Sequence, residues 1–183
     1  MSNYLSKFNV NASPVSNPVQ TLTYKDVRFT VITPELLRVE ASTNGLFCDE
    51  PTQSVLNRDL GEVSFTAECI GKNVIIKTSA AEFNFNLSSL KMESITLADK
   101  RKVSDYHKGN LRGTCRTLDG VNGKTNIGEG VISINGVAVL DDSTTLVLKS
   151  DGRVLPRDSK ESDTYYFAYG FRYRDAIRDL FKR

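Results

Sequence analysis

The residues best suited to chemistry lie in a glycine-rich window from Gly109 to Gly136, which holds seven of the twelve glycines and four asparagines. This composition predicts a long structured loop, and loops of such length in compact domains are usually functional. Within it, Asp119 and Arg116 can be presented to another surface. A carboxylate there could accept paired hydrogen bonds from adjacent sugar hydroxyls. The alternative is that Asp119-Gly120 is simply a turn and Arg116 a salt-bridge partner.

Other chemical arrangements are incomplete. His107 is the only histidine and no GxSxG element accompanies it, so a histidine metal pair and a serine triad are excluded. Gly123-Lys124-Thr125 resembles the end of a phosphate-binding loop, but position 118 is Leu where that motif needs Gly. The three cysteines form an odd set without CxxC spacing, which predicts reduced, buried or half-buried thiols: Cys48, Cys69 and Cys115. We therefore expect no metal and no other cofactor.

Asp141-Asp142 is the carboxylate pair that most suggests catalysis. Glycosidases use two carboxyl groups on either side of the scissile bond. If Val137 to Leu140 is a strand, however, successive side chains point to opposite faces, so the two carboxylates diverge. The pair is therefore predicted to end a strand and form a turn.

Composition limits the partners. The 183 residues include 24 basic and 22 acidic residues, a formal net charge of +2, with the basic residues scattered. Nucleic acid is a poor partner for such a chain. No run approaches the length of a membrane helix and the N-terminus lacks a secretory pattern, so the sequence predicts a cytoplasmic protein without membrane contact.

Hydrophobic periodicity predicts a mostly β structure. Apolar residues alternate with polar ones in several short segments separated by turn residues, which is typical of a sandwich or barrel. The predicted strands lie at residues 27–31, 37–41, 63–67, 74–77, 83–87, 95–97, 137–140, 145–148 and 165–169. Only the end of the chain has a helical period, with Tyr173, Ala176, Ile177, Leu180 and Phe181 on one face.

Three segments carry recognisable motifs. Asn110 to Val121 reads Asn-Leu-Arg-Gly-Thr-Cys-Arg-Thr-Leu-Asp-Gly-Val, Val131 to Leu148 contains Gly136, Ala138-Val139 and Asp141-Asp142-Ser143, and the third segment runs from Tyr165 to Phe181. Together they resemble glycoside hydrolase family 31, the α-glucosidase and α-xylosidase family. Bacterial members have Asn-Leu-Gly-Gly-Thr-x-Arg-Thr-Leu-Asp-Gly in the first block, where this chain has Arg112 in place of one Gly. In the second block this chain has Ile134 where Arg is common and Val137 where Trp is common.

The resemblance implies an all-β, mutarotase-like (supersandwich) β-sandwich with a short C-terminal α-helix. It divides the chain into a flexible arm at 1–20, the sandwich at 21–170 and a helix at 171–183 that leads toward a catalytic barrel. In that family the catalytic aspartates of the retaining reaction lie in the barrel. None of those motifs occurs here, so the chain itself is expected to be inactive.

The implied function is that of a non-catalytic N-terminal domain of an α-glucosidase-type glycoside hydrolase. Its partners would be the barrel of the same polypeptide and an α-glucoside or oligosaccharide substrate. The loop would contribute Asp119, with Arg116 and Thr117 as weaker candidates. Such a domain should also expose a contiguous apolar patch where the barrel docks.

Two alternatives belong to other functional classes. A free-standing carbohydrate-binding module would usually present aromatic platforms, and this chain has no Trp. An aldose epimerase would need a general acid and a general base converging on the sugar ring, for which His107 is one candidate.

Overall fold

The computed structural model describes residues 12–113, 119–123, 125–157 and 162–180. Within these ranges, twelve strands and one α-helix follow one another in the order β1 (Thr21–Tyr24), β2 (Val27–Thr33), β3 (Leu36–Ala41), β4 (Thr66–Ile70), β5 (Asn73–Lys77), β6 (Ala81–Asn86), β7 (Lys91–Leu97), β8 (Lys102–Val103), β9 (Val137–Asp141), β10 (Val147–Leu148), β11 (Val154–Leu155), β12 (Ser162–Ala168) and α1 (Tyr173–Leu180). A short 3-10 turn, Pro18–Gln20, precedes β1.

Two antiparallel five-stranded sheets form the sandwich. The first sheet has the strand order β1-β2-β3-β12-β9, and the second is the simple meander β4-β5-β6-β7-β8. Their facing sides share one apolar core, in which the rings of Phe29 and Phe85 meet edge to face with centroids 5.3 Å apart. The predicted all-β sandwich with a short C-terminal helix is therefore confirmed.

The central strands of the first sheet, β2 and β3, are largely buried on both faces. Its outer face carries a second apolar cluster that includes Ile32, Leu36 and Phe167, covered by Val55, by Ile132 and by Ala176 of α1. All but the last residue of β3 are buried as a result. Alternating polarity along a strand does not mark a solvent-facing side here.

Several predicted elements need correction. The strand expected at 63–67 runs instead from Thr66 to Ile70, because Gly71, with φ of 63°, makes a tight turn that pairs Ile70 with Asn73. The strand expected at 145–148 shrinks to β10, which pairs with β11. Cys69 is exposed rather than buried or half-buried, because its strand is the outer edge of the second sheet; Cys48 is buried as expected. Cys115 lies outside the described residues.

The predicted C-terminal helix is confirmed as α1, while Phe181 lies outside the described residues. In the N-terminal segment, the backbone of Ser13 exchanges hydrogen bonds with Asn57 and Arg58, and Gln20 is buried. Residues 1–11 of the predicted arm are outside the described part. Within the described ranges, no helix is long and apolar enough to span a membrane.

Candidate functional site

The glycine-rich window forms a loop whose two limbs are joined side by side. Backbone hydrogen bonds connect Leu111 N with Ile132 O at 2.9 Å and Gly113 N with Gly128 O at 2.9 Å. The Asn110 side chain adds two more, accepting from Gly130 N at 2.7 Å and donating to Gly130 O at 3.0 Å. The limbs approach so closely that a Cβ on Gly130 would lie 2.7 Å from Leu111 O.

The far end of this loop carries Asp119. Asp119 and Gly120 form an exposed turn, with Gly120 at φ of 72°. The other two predicted site residues, Arg116 and Thr117, lie outside the described residues. The structure therefore gives a position for Asp119 and leaves the predicted grouping of the three as a prediction.

The base of the loop is fixed to the segment that enters α1. Gly170 N donates to Gly136 O at 2.9 Å, and Arg101 Nη1 donates to Asn135 O at 3.1 Å. A Cβ on Gly136 would lie 2.2 Å from Gly170 O, so only glycine permits this approach.

An apolar patch lies beside that base. We define it as Ile134, Phe171, Tyr173 and Ile177. Tyr173 Oη donates to Ile134 O at 3.0 Å, its ring lies 6.4 Å from that of Phe171, and Ile177 follows it one helical turn later. The exposed fractions are 56% for Ile134, 67% for Phe171 and 44% for Ile177. Exposed apolar side chains that lie close together are typical of interaction surfaces.

The Phe171 ring of this patch packs against a paired arginine. The Arg101 guanidinium lies 4.1 Å from the Phe171 ring centroid, and Asp99 accepts from its Nε at 2.8 Å. Phe171 also borders a groove of about 440 Å³, whose carboxylates Glu35 and Asp99 are each paired with an arginine.

The remaining candidates show no catalytic arrangement. His107 Nδ1 lies 3.3 Å from Glu129 Oε2, and both side chains are exposed. Asp141 is exposed and bonds to Ser143, whereas Asp142 is fully buried against Thr52 and Arg157, so the two carboxylates diverge as predicted. In the described ranges, no group of three or more His, Cys, Asp or Glu side chains could hold a metal ion.

Sequence reasoning missed a buried ionic network on the outer face of the first sheet. Asp163 accepts from Arg38 Nε at 2.8 Å and Nη2 at 2.7 Å, and from Arg157 Nη1 at 2.9 Å. Glu40 accepts from Arg28 Nε at 2.7 Å and lies 2.9 Å from Arg38 Nη2. Arg38, Glu40 and Asp163 have no solvent exposure.

Burial and the neighbouring arginines have opposite effects on the pKa of the carboxyl groups in this network. Burial favours the neutral acid at Asp163, but hydrogen bonds and charge from Arg38 outweigh it and hold the pKa below its ordinary value. At Glu40 burial prevails and raises the pKa despite Arg38. Burial also raises the pKa of Tyr165, which accepts from Arg58, to about 12. The buried side chains also fasten the segment from Cys48 to Arg58 over the sheet, because Arg38 donates to Cys48 O and Arg58 donates to Tyr165 Oη.

No protein-family model and no curated protein matches this chain. Among solved structures, it is similar to the GH31 α-xylosidase of Xanthomonas citri, at 19% identity and a TM-score of 0.41 over 71% of this chain. It is also similar to a GH31 dextranase of Flavobacterium johnsoniae complexed with glucose, at 15% identity and a TM-score of 0.43 over 85% of this chain. The chain spans 15% of the length of the first and 25% of the second.

Proposed function

We propose that this sandwich is the non-catalytic N-terminal domain of an α-glucosidase-type glycoside hydrolase of family 31. Its role would be to dock on the catalytic barrel of the same polypeptide and to lend that barrel one loop. The sequence blocks around Asn110 to Val121 and Val131 to Leu148 suggest the family. The mutarotase-like subtype of the sandwich belongs to the same proposal.

One observation carries the proposal: the loop and the apolar patch share a base. Ile134 belongs to the loop and to the patch, and its carbonyl accepts from Tyr173 of α1. A second domain resting on the patch would therefore lie next to the loop. The exposed turn at Asp119 could then reach a substrate held by that domain.

The direct test is hydrolysis of p-nitrophenyl α-glucoside by this chain and by a version that continues through the reading frame beyond Arg183. We expect turnover only from the longer protein. Turnover by the 183-residue chain, or no barrel encoded downstream, would reject the proposal.

The role of Asp119 can be tested in the longer protein. Asp119→Ala removes a charged acceptor, and hydrogen bonds to charged groups are worth about 2 kcal/mol, so kcat/KM should fall roughly thirtyfold. Asp151→Ala is the matched control, because Asp151-Gly152 is also an exposed Asp-Gly turn but lies elsewhere. Equal kinetics for the two variants would remove Asp119 from the substrate site, and with it the weaker candidates Arg116 and Thr117 would lose their rationale.

A further inference from the structure

The outer face of the second sheet contains three asparagines. Asn73 begins β5, Asn84 lies inside β6, and Asn86 ends β6. Their neighbours Val74, Phe83 and Phe85 fill the core, so the asparagines lie on the opposite face. Asn86 is buried, and its Oδ1 accepts from Ser88 N and Ser89 N at the turn after β6. Asn84 is the one that breaks strand preference, because an asparagine amide competes with the backbone, and a local rule broken in this way often accompanies a functional site.

A β-bulge brings a carboxylate to these amides. Asn84 pairs with Ser94 and Phe85 with Met92, so Glu93 has no partner in the ladder. Its Oε1 accepts from Asn86 Nδ2 at 2.6 Å and its Oε2 from Asn73 Nδ2 at 2.9 Å. Bulges are used to redirect side chains, often near sites. We refer to Asn73, Asn84, Asn86 and Glu93 as the amide cluster.

Hydrogen bonds within the amide cluster orient its side chains, and two of its amide atoms remain available to a ligand. Asn73 Nδ2 also donates to Asn84 Oδ1 at 2.8 Å, which fixes both amide planes. Within the described residues, Asn84 Nδ2 and Asn73 Oδ1 have no protein partner, and neither is among the buried atoms. One free donor and one free acceptor therefore face solvent beside the exposed carboxylate of Glu93.

Apolar side chains adjoin the polar ones on the same face. Ile70 of β4 lies directly across from Asn73, and Ile75 of β5 lies directly across from Asn84. Ile70 is exposed and Ile75 half-buried. The face thus offers methyl groups on one side and planar hydrogen-bonding groups on the other.

These features match a neutral sugar. A pyranose has an apolar C–H face and a rim of hydroxyls that both donate and accept, so it can satisfy an amide N–H, an amide oxygen and a carboxylate together. A phosphate or sulfate group accepts only, and it would meet the Glu93 carboxylate at the centre of the cluster.

We propose that the amide cluster, with Ile70 and Ile75, is a binding surface for a neutral oligosaccharide. This surface goes beyond the proposed function. It shares no residue with the glycine-rich loop or the apolar patch, so either assignment can fail without the other.

The experiment is an NMR titration of the 183-residue chain with maltotriose, isomaltotriose, xylotriose and, as an anionic comparison, trigalacturonic acid. We expect saturable shifts for at least one neutral trisaccharide, centred on the amides of β5, β6 and β7. No saturable shift with any neutral probe at millimolar concentration, or tighter binding of trigalacturonic acid, would overturn the proposal.

Two variants test the location. Asn84→Thr removes the free amide donor and suits a strand better, so the fold should be retained and affinity should fall about tenfold or more. Glu93→Gln gives a second test, since it replaces the exposed acceptor with an isosteric amide. Glu82→Gln is the matched control for Glu93→Gln, because Glu82 lies on the outer face of β6, two residues before Asn84, and is not part of the amide cluster. Affinity that survives in Asn84→Thr and Glu93→Gln, or falls equally in Glu82→Gln, would place the binding elsewhere.

Discussion

Asp163 balances two buried arginines, and its side chain is the most sensitive point of the ionic network. Removing its charge takes one buried counter-ion from each arginine, which leaves Arg38 beside Glu40 and Arg157 beside Asp142. Breaking one partner of a buried pair costs several kcal/mol, far more than breaking an exposed pair.

We predict that Asp163→Asn lowers the free energy of unfolding by about 3 kcal/mol, measured by urea denaturation at neutral pH. The control is Asp151→Asn, which breaks an exposed pair with Arg153 and should leave the unfolding midpoint unchanged. Equal midpoints for the two variants would mean that the buried network contributes no net stability.

The stability that Asp163 contributes should change with pH in a definite direction. Because the pKa of Asp163 is lowered in the folded state, its stabilisation is present above the unfolded-state pKa of about 3.9 and is lost as pH falls through the lower folded-state value. The stability difference between the wild type and Asp163→Asn should therefore shrink in acid. Urea denaturation at stepwise lower pH measures it, and a difference that grows on acidification would contradict the assignment.

At the scale of elements, the contact between the loop base and the chain entering α1 requires glycine at position 136, because a Cβ there would clash with Gly170. Gly136 and Gly45 have similar φ values, 79° and 71°, but only Gly136 faces a neighbour, while a Cβ on Gly45 would touch nothing within 4 Å. The two positions separate the cost of the left-handed backbone from that of the close approach.

We predict that Gly45→Ala costs about 1 kcal/mol, the price of a left-handed alanine, and that Gly136→Ala costs about 3 kcal/mol or more. Thermal unfolding of both variants tests this. Similar losses would show that the contact with Gly170 adjusts easily.

The sequence predicted the positions of strands better than it predicted which strand faces are buried. Alternation along Val27 to Ala41 and Phe83 to Leu97 identified real strands, because it records which side chains share a face. It could not reveal that Arg38 and Glu40 are buried, because what covers them, the segment from Cys48 to Arg58, has no periodicity. The partner of Arg38, Asp163, also lies 125 residues away in the chain.

For the candidate site too, the sequence predicted the element and not its internal contacts. Glycine content was enough to predict the loop, since no side-chain pattern favours a strand there. The joined limbs depend on a specific contact between Asn110 and Gly130, which composition does not encode. One member of the amide cluster could have been found from the sequence, because Asn84 interrupts the otherwise good strand sequence of β6.

At the scale of the whole molecule, we expect the apolar patch to promote self-association. Without a partner, its exposed side chains should bring two chains together weakly at high concentration. We predict that Phe171→Lys abolishes this association. Sedimentation equilibrium measures it, with Leu46→Lys as the control because Leu46 is similarly exposed, at 57%, but remote in sequence from the patch. A wild type that stays monomeric, or an equal effect of both variants, would argue against a docking surface.

The strand order also bears on synthesis at the ribosome. The second sheet pairs only strands that follow one another between residues 66 and 103, so it can assemble as soon as they emerge. In the first sheet, β3 waits for β12, whose Asp163 is made 125 residues after Arg38, roughly 6–25 s later at about 5–20 residues per second. During that interval the nascent chain keeps the edge of β3 unpaired and one apolar face uncovered, so we expect it to be exposed to aggregation until β12 is made.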